Sequence, residues 1–214
     1  MAAPIDDSTK TSLDNLSSHI SGGVIVDIGT GDGRFVYQSA RTNPAKFYIG
    51  IDAQPKLVEK ISMKATRNPA KGGARNVLFL QASVEDLPSE LNDSADEIHI
   101  HFPWGSLLRA IATADENVLR GLYRISRPDG LLEVVIGIDA ERDRSQIQQL
   151  GLPHLSVDYV DKVLTPRYGA LGFKIRERGI LPRSAWSQLH SSWARRLQPN
   201  DRRQVVYLIA EARK

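Results

Sequence analysis

The sequence predicts an α/β protein: one doubly wound, mostly parallel sheet of about seven strands that ends in a C-terminal β-hairpin. Three observations carry that prediction. Apolar runs of strand length alternate with segments of helical length between residues 24 and 138. A glycine-rich turn, VDIGTGDGR, follows the first apolar run at once. The second apolar run closes on an acid, Asp52, at the strand end where open α/β sheets bind ligands.

Val24–Ile28 reads as a buried strand, and Arg34–Ala40 beyond the glycine turn as a helix. Phe47–Ile51 is the second strand, followed by an amphipathic helix over Leu57–Thr66 that Asn68-Pro69 and Gly72-Gly73 break. Val77–Gln81 and Glu97–Phe102 are the third and fourth strands. Leu107–Ser126 is expected as one helix, stopped by a turn at Pro128-Asp129-Gly130 before a fifth strand, Leu131–Ile138. Further on, Ser145–Leu150, Asp161–Gly172 and Ser184–Leu197 read as helices, with Phe173–Ile180 and Val205–Glu211 as the last strands. The expected organisation is a single domain over 1–214. It has an N-terminal extension at 1–21, a cofactor-binding core at 22–138, and inserts at 139–160 and 183–204 for target recognition.

At 214 residues, 41% hydrophobic and 25% charged, the chain matches soluble globular composition and can bury a sizeable core. No apolar run approaches the roughly 20 residues of a membrane helix. The start, MAAPIDDSTKTSLDNL, is polar and acidic, unlike a secretory signal. The absence of cysteine excludes disulfides, thiolate zinc sites and thiol catalysis. The expectation is a cytoplasmic, monomeric protein with no metal and no membrane partner.

The net charge of +3 is unevenly placed. Residues 183–214 hold seven basic groups against two acids, and residues 60–75 hold Lys60, Lys64, Arg67, Lys71 and Arg75 with no acid. Two basic islands on an otherwise acidic chain fit a polyanionic partner. A merely solvated basic face is the alternative.

The turn glycines, Gly29, Gly31 and Gly33, follow G-x-G-x-G rather than the dinucleotide fingerprint G-x-G-x-x-G. Asp27 and Asp32 lie at that turn, and their charge would repel a pyrophosphate. They suit instead a ligand carrying an ammonium and a sulfonium. Asp52 is placed to accept the hydroxyls of an unphosphorylated ribose. After the third strand, Ser83, Val84, Glu85 and Leu87 are placed to frame an adenine. That ordered set points to S-adenosylmethionine.

His101-Phe102-Pro103-Trp104-Gly105-Ser106 follows the fourth strand, and Trp104 offers a flat wall for a planar acceptor or a cap on the sheet edge. His99 and His101 alternate on a strand, which puts one of them near the site or leaves both as ordinary sheet histidines, the reading favoured here. Trp193, on a stripe with Trp186, Leu189 and Leu197, fits a core position. Its neighbours Arg195, Arg196, Arg202 and Arg203 equally suit stacking on a base beside phosphates.

In this order and spacing, VDIGTGDGR, FYIGID, KGGARNVLF, EDLP, FPWGSLL and SSWARRL resemble the aminoglycoside-resistance 16S ribosomal RNA methyltransferases. That kanamycin–apramycin group methylates N1 of adenosine 1408 in the decoding site. The resemblance runs over about residues 22–210, and FPWG with SSWARRL is its more specific part. It implies a class I, Rossmann-like S-adenosylmethionine-dependent methyltransferase acting on 16S rRNA in the assembled 30S subunit. It also implies that Asp27, Gly29 and Asp52 hold the cofactor, helped by Val84 and Glu85. Thr30, Gly31, Asp32, Gly33, Ala53, Ser83, Leu87, Phe102, Pro103 and Ser106 complete the expected cofactor set. Trp104 and Trp193 would sandwich the flipped adenine beside Ser191. The island at 60–75, with Arg195, Arg196, Arg202 and Arg203, would contact rRNA phosphates. Members carry an N-terminal β-hairpin that MAAPIDDSTKT does not match, and in the basic island only the charge is shared.

The nearest rival is a tRNA guanine-N7 methyltransferase, whose motif after the fourth strand is usually longer. A small-molecule methyltransferase and a non-catalytic RNA-binding protein of this fold are the others. A dehydrogenase fits the acidic loop worst.

Overall fold

Residues 22–182 and 203–214 are described by the structure, a computed structural model. Five strands run parallel: β1 (Val24–Ile28), β2 (Phe47–Asp52), β3 (Val77–Gln81), β4 (Ala95–His101) and β5 (Ser126–Ile138). Two more, β6 (Phe173–Ile180) and β7 (Gln204–Ala212), complete a sheet of order β3-β2-β1-β4-β5-β7-β6. β7 is antiparallel to both its neighbours, which makes the expected terminal hairpin. The winding reverses between β1 and β4, so a crevice must open beyond their carboxyl ends.

Helices cover both faces. α1 (Arg34–Thr42) packs Val36 and Ala40 on Ile25 and Tyr48. α2 (Pro55–Ala65) follows β2. On the other face α3 (Gly105–Thr113) and α4 (Glu116–Ile125) bury Ile111, Leu119 and Leu122 against Ile98 and Ile100 in the main core. α5 (Arg144–Leu150) lies in the expected insert. α6 is continuous through Val157–Tyr159, a π-helical stretch Val160–Leu164, and Thr165–Ala170. Its Tyr168 and Phe173 of β6 are both fully buried in the same core.

Three expected elements differ. The single helix over 107–126 is two, because Ala114 turns left-handed at φ 55° and Asp115 starts a new helix by accepting the amides of Asn117 and Val118. Pro128-Asp129-Gly130 lies within β5 rather than before it. Pairing moves from Ala95↔Ser126 to Glu97↔Leu131, so residues 127–130 bulge opposite Asp96, with Asp129 at φ 60°. The helix expected over 161–172 begins at Val157, four residues early, and widens where Pro166 lacks an amide proton; the Thr165 hydroxyl there donates to the Val160 carbonyl at 3.0 Å. The helix expected over 184–197 lies outside the described residues.

Candidate active site

The crevice at the reversal point is a cleft of about 370 Å³, walled by the ends of β1, β2 and β4, the turn after β3, and the start of α3. The glycine turn is tied to β2 from above. The amides of Gly29 and Thr30 both donate to the Ile51 carbonyl, at 2.8 and 3.0 Å. The Asp52 carboxylate accepts the Gly31 amide on one oxygen and the Gln54 amide on the other, each at 2.9 Å. Asp52 thereby fixes the loop while facing the cleft. Gly29 sits at φ 72°, and a Cβ there would come within 2.8 Å of Leu107 Cδ2, so the approach of turn to α3 requires glycine.

Asp27 ends up 5% exposed at the base of the cleft. Burial pushes its carboxyl above the usual aspartate range, opposed first by His101 and then by the Thr30 hydroxyl and His99. Thr30 Oγ1 is itself buried, with no hydrogen-bond partner among the described residues. Asp27, Asp52 and Glu85 line the cleft, and neither lysine nor arginine does among the described residues. Such a lining repels phosphate and fits a cation. S-adenosylmethionine, with a sulfonium, an ammonium and a ribose diol, has that chemistry.

The wall facing an acceptor is built by backbone strain. Phe102 lies at φ 51°, a left-handed conformation that bulky side chains avoid. Its amide donates to the Val135 carbonyl at 2.7 Å, and its ring packs on Val135 and Val205. This turn lets the chain leave β4 sharply and sets Pro103, Trp104 and Ser106 on the cleft. Trp104 is 47% exposed there, a large apolar ring left in solvent.

Of the expected cofactor residues, Asp27, Gly29, Thr30, Gly31, Asp52, Ala53, Ser83, Val84, Glu85, Phe102, Pro103 and Ser106 line this one cleft. Three do not. Asp32 turns back to accept the Arg34 amide and pair with its guanidinium. Gly33 is the left-handed cap of α1, wedged against Ile61 and Phe79. Leu87 belongs to the main core. Sequence reasoning missed Phe35, Gln54, Leu57 and Leu107, which also line the cleft. Of the two strand histidines, His101, the last residue of β4, is the one at the cleft.

Lys60, Lys64, Arg67, Lys71 and Arg75 are all exposed, on α2 and the loop leading back to the amino end of β3. Arg203 does not face solvent as expected. Its side chain is 12% exposed and pairs with Asp143 at 2.7 Å, and Asp143 also accepts the Asp139 amide. That bond pins the end of β5 to the start of β7. Trp193, Ser191, Arg195, Arg196 and Arg202 lie outside the described residues.

A parallel sheet reversing at β1/β4, a seventh strand inserted antiparallel beside β5, and an acidic cleft over the glycine turn define a class I S-adenosylmethionine-dependent methyltransferase. The chain belongs to the 16S rRNA (adenine(1408)-N(1))-methyltransferase family: the NpmA family model of that description matches residues 5–212. The 16S rRNA (adenine(1408)-N(1))-methyltransferase of Streptoalloteichus tenebrarius is 37% identical over 187 residues, 86% of this chain and 85% of its own. Among solved structures, the aminoglycoside resistance methyltransferase NpmB1 is 42% identical with a TM-score of 0.83, covering 95% of this chain and 93% of that one. A mutant of the enzyme from Catenulisporales acidiphilia, solved with cosubstrate SAM, is 30% identical with a TM-score of 0.87, covering 99% and 93%. No helix among the described residues is long and apolar enough to cross a membrane.

Proposed function

We propose that this chain transfers the methyl group of S-adenosylmethionine to N1 of adenosine 1408 in 16S rRNA, and so confers aminoglycoside resistance. Its substrate is the assembled 30S subunit, and it acts as a cytoplasmic monomer. The observation that carries the reading is the pairing of an acidic, cation-selective cleft with an exposed tryptophan at its mouth, in a chain of this family.

When bound, S-adenosylmethionine supplies an electrophilic methyl on sulfur. Asp27 would hold its ammonium, Asp52 its ribose hydroxyls, and Val84 with Glu85 its adenine. Adenine N1 of the target carries a free lone pair, so the site needs placement rather than a general base. The target base must leave its stack, at a cost of a few kcal/mol. Stacking on Trp104 and, by the family resemblance, on Trp193 would offset that cost, at about 1–3 kcal/mol per stacked base. Their π-faces also favour the positive charge that reaches the ring. By the family resemblance, Ser191 would sit by the cofactor and the target.

The test is methylation of purified 30S subunits with labelled S-adenosylmethionine, followed by reverse transcription across the decoding site. A methyl on N1 blocks the Watson–Crick edge, so extension stops one nucleotide before adenosine 1408. Incorporation without that stop rejects the atom or the site. Labelling of tRNA but not of 30S subunits rejects the substrate.

A further inference from the structure

Three carboxylates and two imidazoles crowd one face of the sheet against the base of the cleft. Register sets Asp27 of β1, His99 of β4 and Glu133 of β5 side by side on neighbouring strands. His101, two residues along β4, reaches the cleft wall. Its Nε2 lies 2.6 Å from Glu133 Oε1, and His99 Nε2 lies 3.3 Å from Glu97 Oε2. The two rings stack, with centroids 5.1 Å apart and planes 16° apart. Phe35 of α1 packs on both, at 5.8 and 5.5 Å. Lys46, just before β2, closes the far end on Glu97 at 3.0 Å. Tyr48 and Asp52 are the groups that β2 adds: the phenol near Glu97, the carboxylate near Asp27.

The side chains of His99 and His101 are 16% and 8% exposed, and the Nδ1 of each is buried with no partner among the described residues. A simple structural role does not require two stacked imidazoles inside a ring of acids. Glu97, Glu133 and Asp27 favour the charged form of His99 against its burial, and a positive charge there acts in return on Asp27. Asp27 is the member of the cluster that must stay ionised in a nearly dry place to hold an ammonium.

We propose that the stacked His99–His101 pair, braced by Glu97 and Glu133, keeps Asp27 ionised beneath the cleft and so sets the pH below which S-adenosylmethionine is no longer held. The histidines are positioning residues, acting through Asp27, and the inference rests on the assignment of Asp27 to the ammonium made above. The sign follows from charge. An imidazolium beside Asp27 favours its carboxylate, so replacing it by a neutral side chain lets Asp27 take up a proton at higher pH.

The experiment is calorimetric titration of the full chain between pH 5 and 8 with two probes. S-adenosylhomocysteine keeps the ammonium, and 5′-methylthioadenosine lacks it. The proteins are the wild type, His101→Gln, the double variant His99→Gln/His101→Gln, and Glu133→Gln. The expected result is an acid limb of S-adenosylhomocysteine affinity displaced to higher pH in the histidine variants, with about tenfold weaker binding per pH unit of displacement on the limb. Glu133→Gln moves the limb the same way by less, and reports on the proposal if a histidine variant fails to fold. 5′-methylthioadenosine keeps one pH dependence in all four proteins, so that any constant loss from altering His101, which lines the cleft, is told apart from a displaced limb. Coincident acid limbs for S-adenosylhomocysteine overturn the proposal. An acid limb displaced equally for both probes also overturns it, because the displacement then does not act through the ammonium. Failure of the wild type to bind either probe overturns instead the cofactor reading on which the proposal stands.

Discussion

Asp27 answers to two opposed demands, ligand charge and fold stability. Burial raises its carboxyl above the usual range, with His101 leading the groups that resist, so ionisation lowers the stability of the ligand-free protein. An aspartate near 3.8 when unfolded and higher when folded binds more protons in the folded state between those values. Its cost therefore appears as pH rises through that interval and is complete above it. Asp27→Asn is expected to raise the melting temperature of the ligand-free protein at neutral pH and to abolish S-adenosylmethionine binding. The stability gain should shrink as pH falls through the raised value, where wild-type Asp27 is itself protonated. Thermal unfolding across pH, with calorimetry on the same samples, checks both halves. A melting temperature lowered at neutral pH would mean that Asp27 is stabilising where it sits. The place of Asp27 at the base of the cleft was legible in the sequence because a strand-end acid ahead of a glycine turn is a local signal. The histidine cluster was not legible, because it depends on the register of three strands: nothing within EIHIHF says that Glu133 will stand opposite His99.

Among the elements, those built from short-range signals appear where the sequence predicts them. β6 matches to the residue, and β1 and β3 do too, since apolar alternation and flanking turns are local. The helix expected over 107–126 failed for a local reason that was available. Its apolar period continues across Ala114, yet Asp115-Glu116-Asn117 carries an N-cap aspartate whose carboxylate takes two orphan amides, at 3.0 and 3.2 Å. The break matters to function because it fixes the length of α3, whose first turn carries Ser106 and Leu107 at the cleft. Asp115→Ala is expected to reduce unfolding free energy by about 1 kcal/mol, within the range of about 0.5–2 for a removed cap. Asp115→Ser should restore most of it. Urea unfolding of the three proteins decides; an unchanged midpoint in Asp115→Ala would show that packing alone sets the break.

Taken whole, the molecule separates its charges by task. The cleft at the carboxyl ends of the strands is acidic and lined by no lysine or arginine among the described residues, while Lys60, Lys64, Arg67, Lys71 and Arg75 lie exposed from α2 to the opposite end of β3. Five residues of strand at about 3.3 Å each set the two ends of β3 some 13–17 Å apart. Arg75, just before β3, thus lies at the far end of that strand from the cleft, whereas Lys60 and Lys64 stand on α2, whose Leu57 lines the cleft; over the longer separation the two fields are screened, the Debye length being about 8 Å at physiological salt. If the island grips rRNA phosphates, binding to 30S subunits must weaken with salt by counterion release. Replacing Lys60, Lys64 and Arg67 together by glutamine is expected to reduce the slope of log affinity against log salt by about 0.7–0.9 for each phosphate no longer neutralised. Calorimetric affinity for S-adenosylmethionine should stay unchanged, because none of the three lines the cleft. The measurement is filter binding of labelled 30S subunits at stepped salt. An unchanged slope with the triple variant would move the RNA footprint off α2 and leave the island as a solvated face.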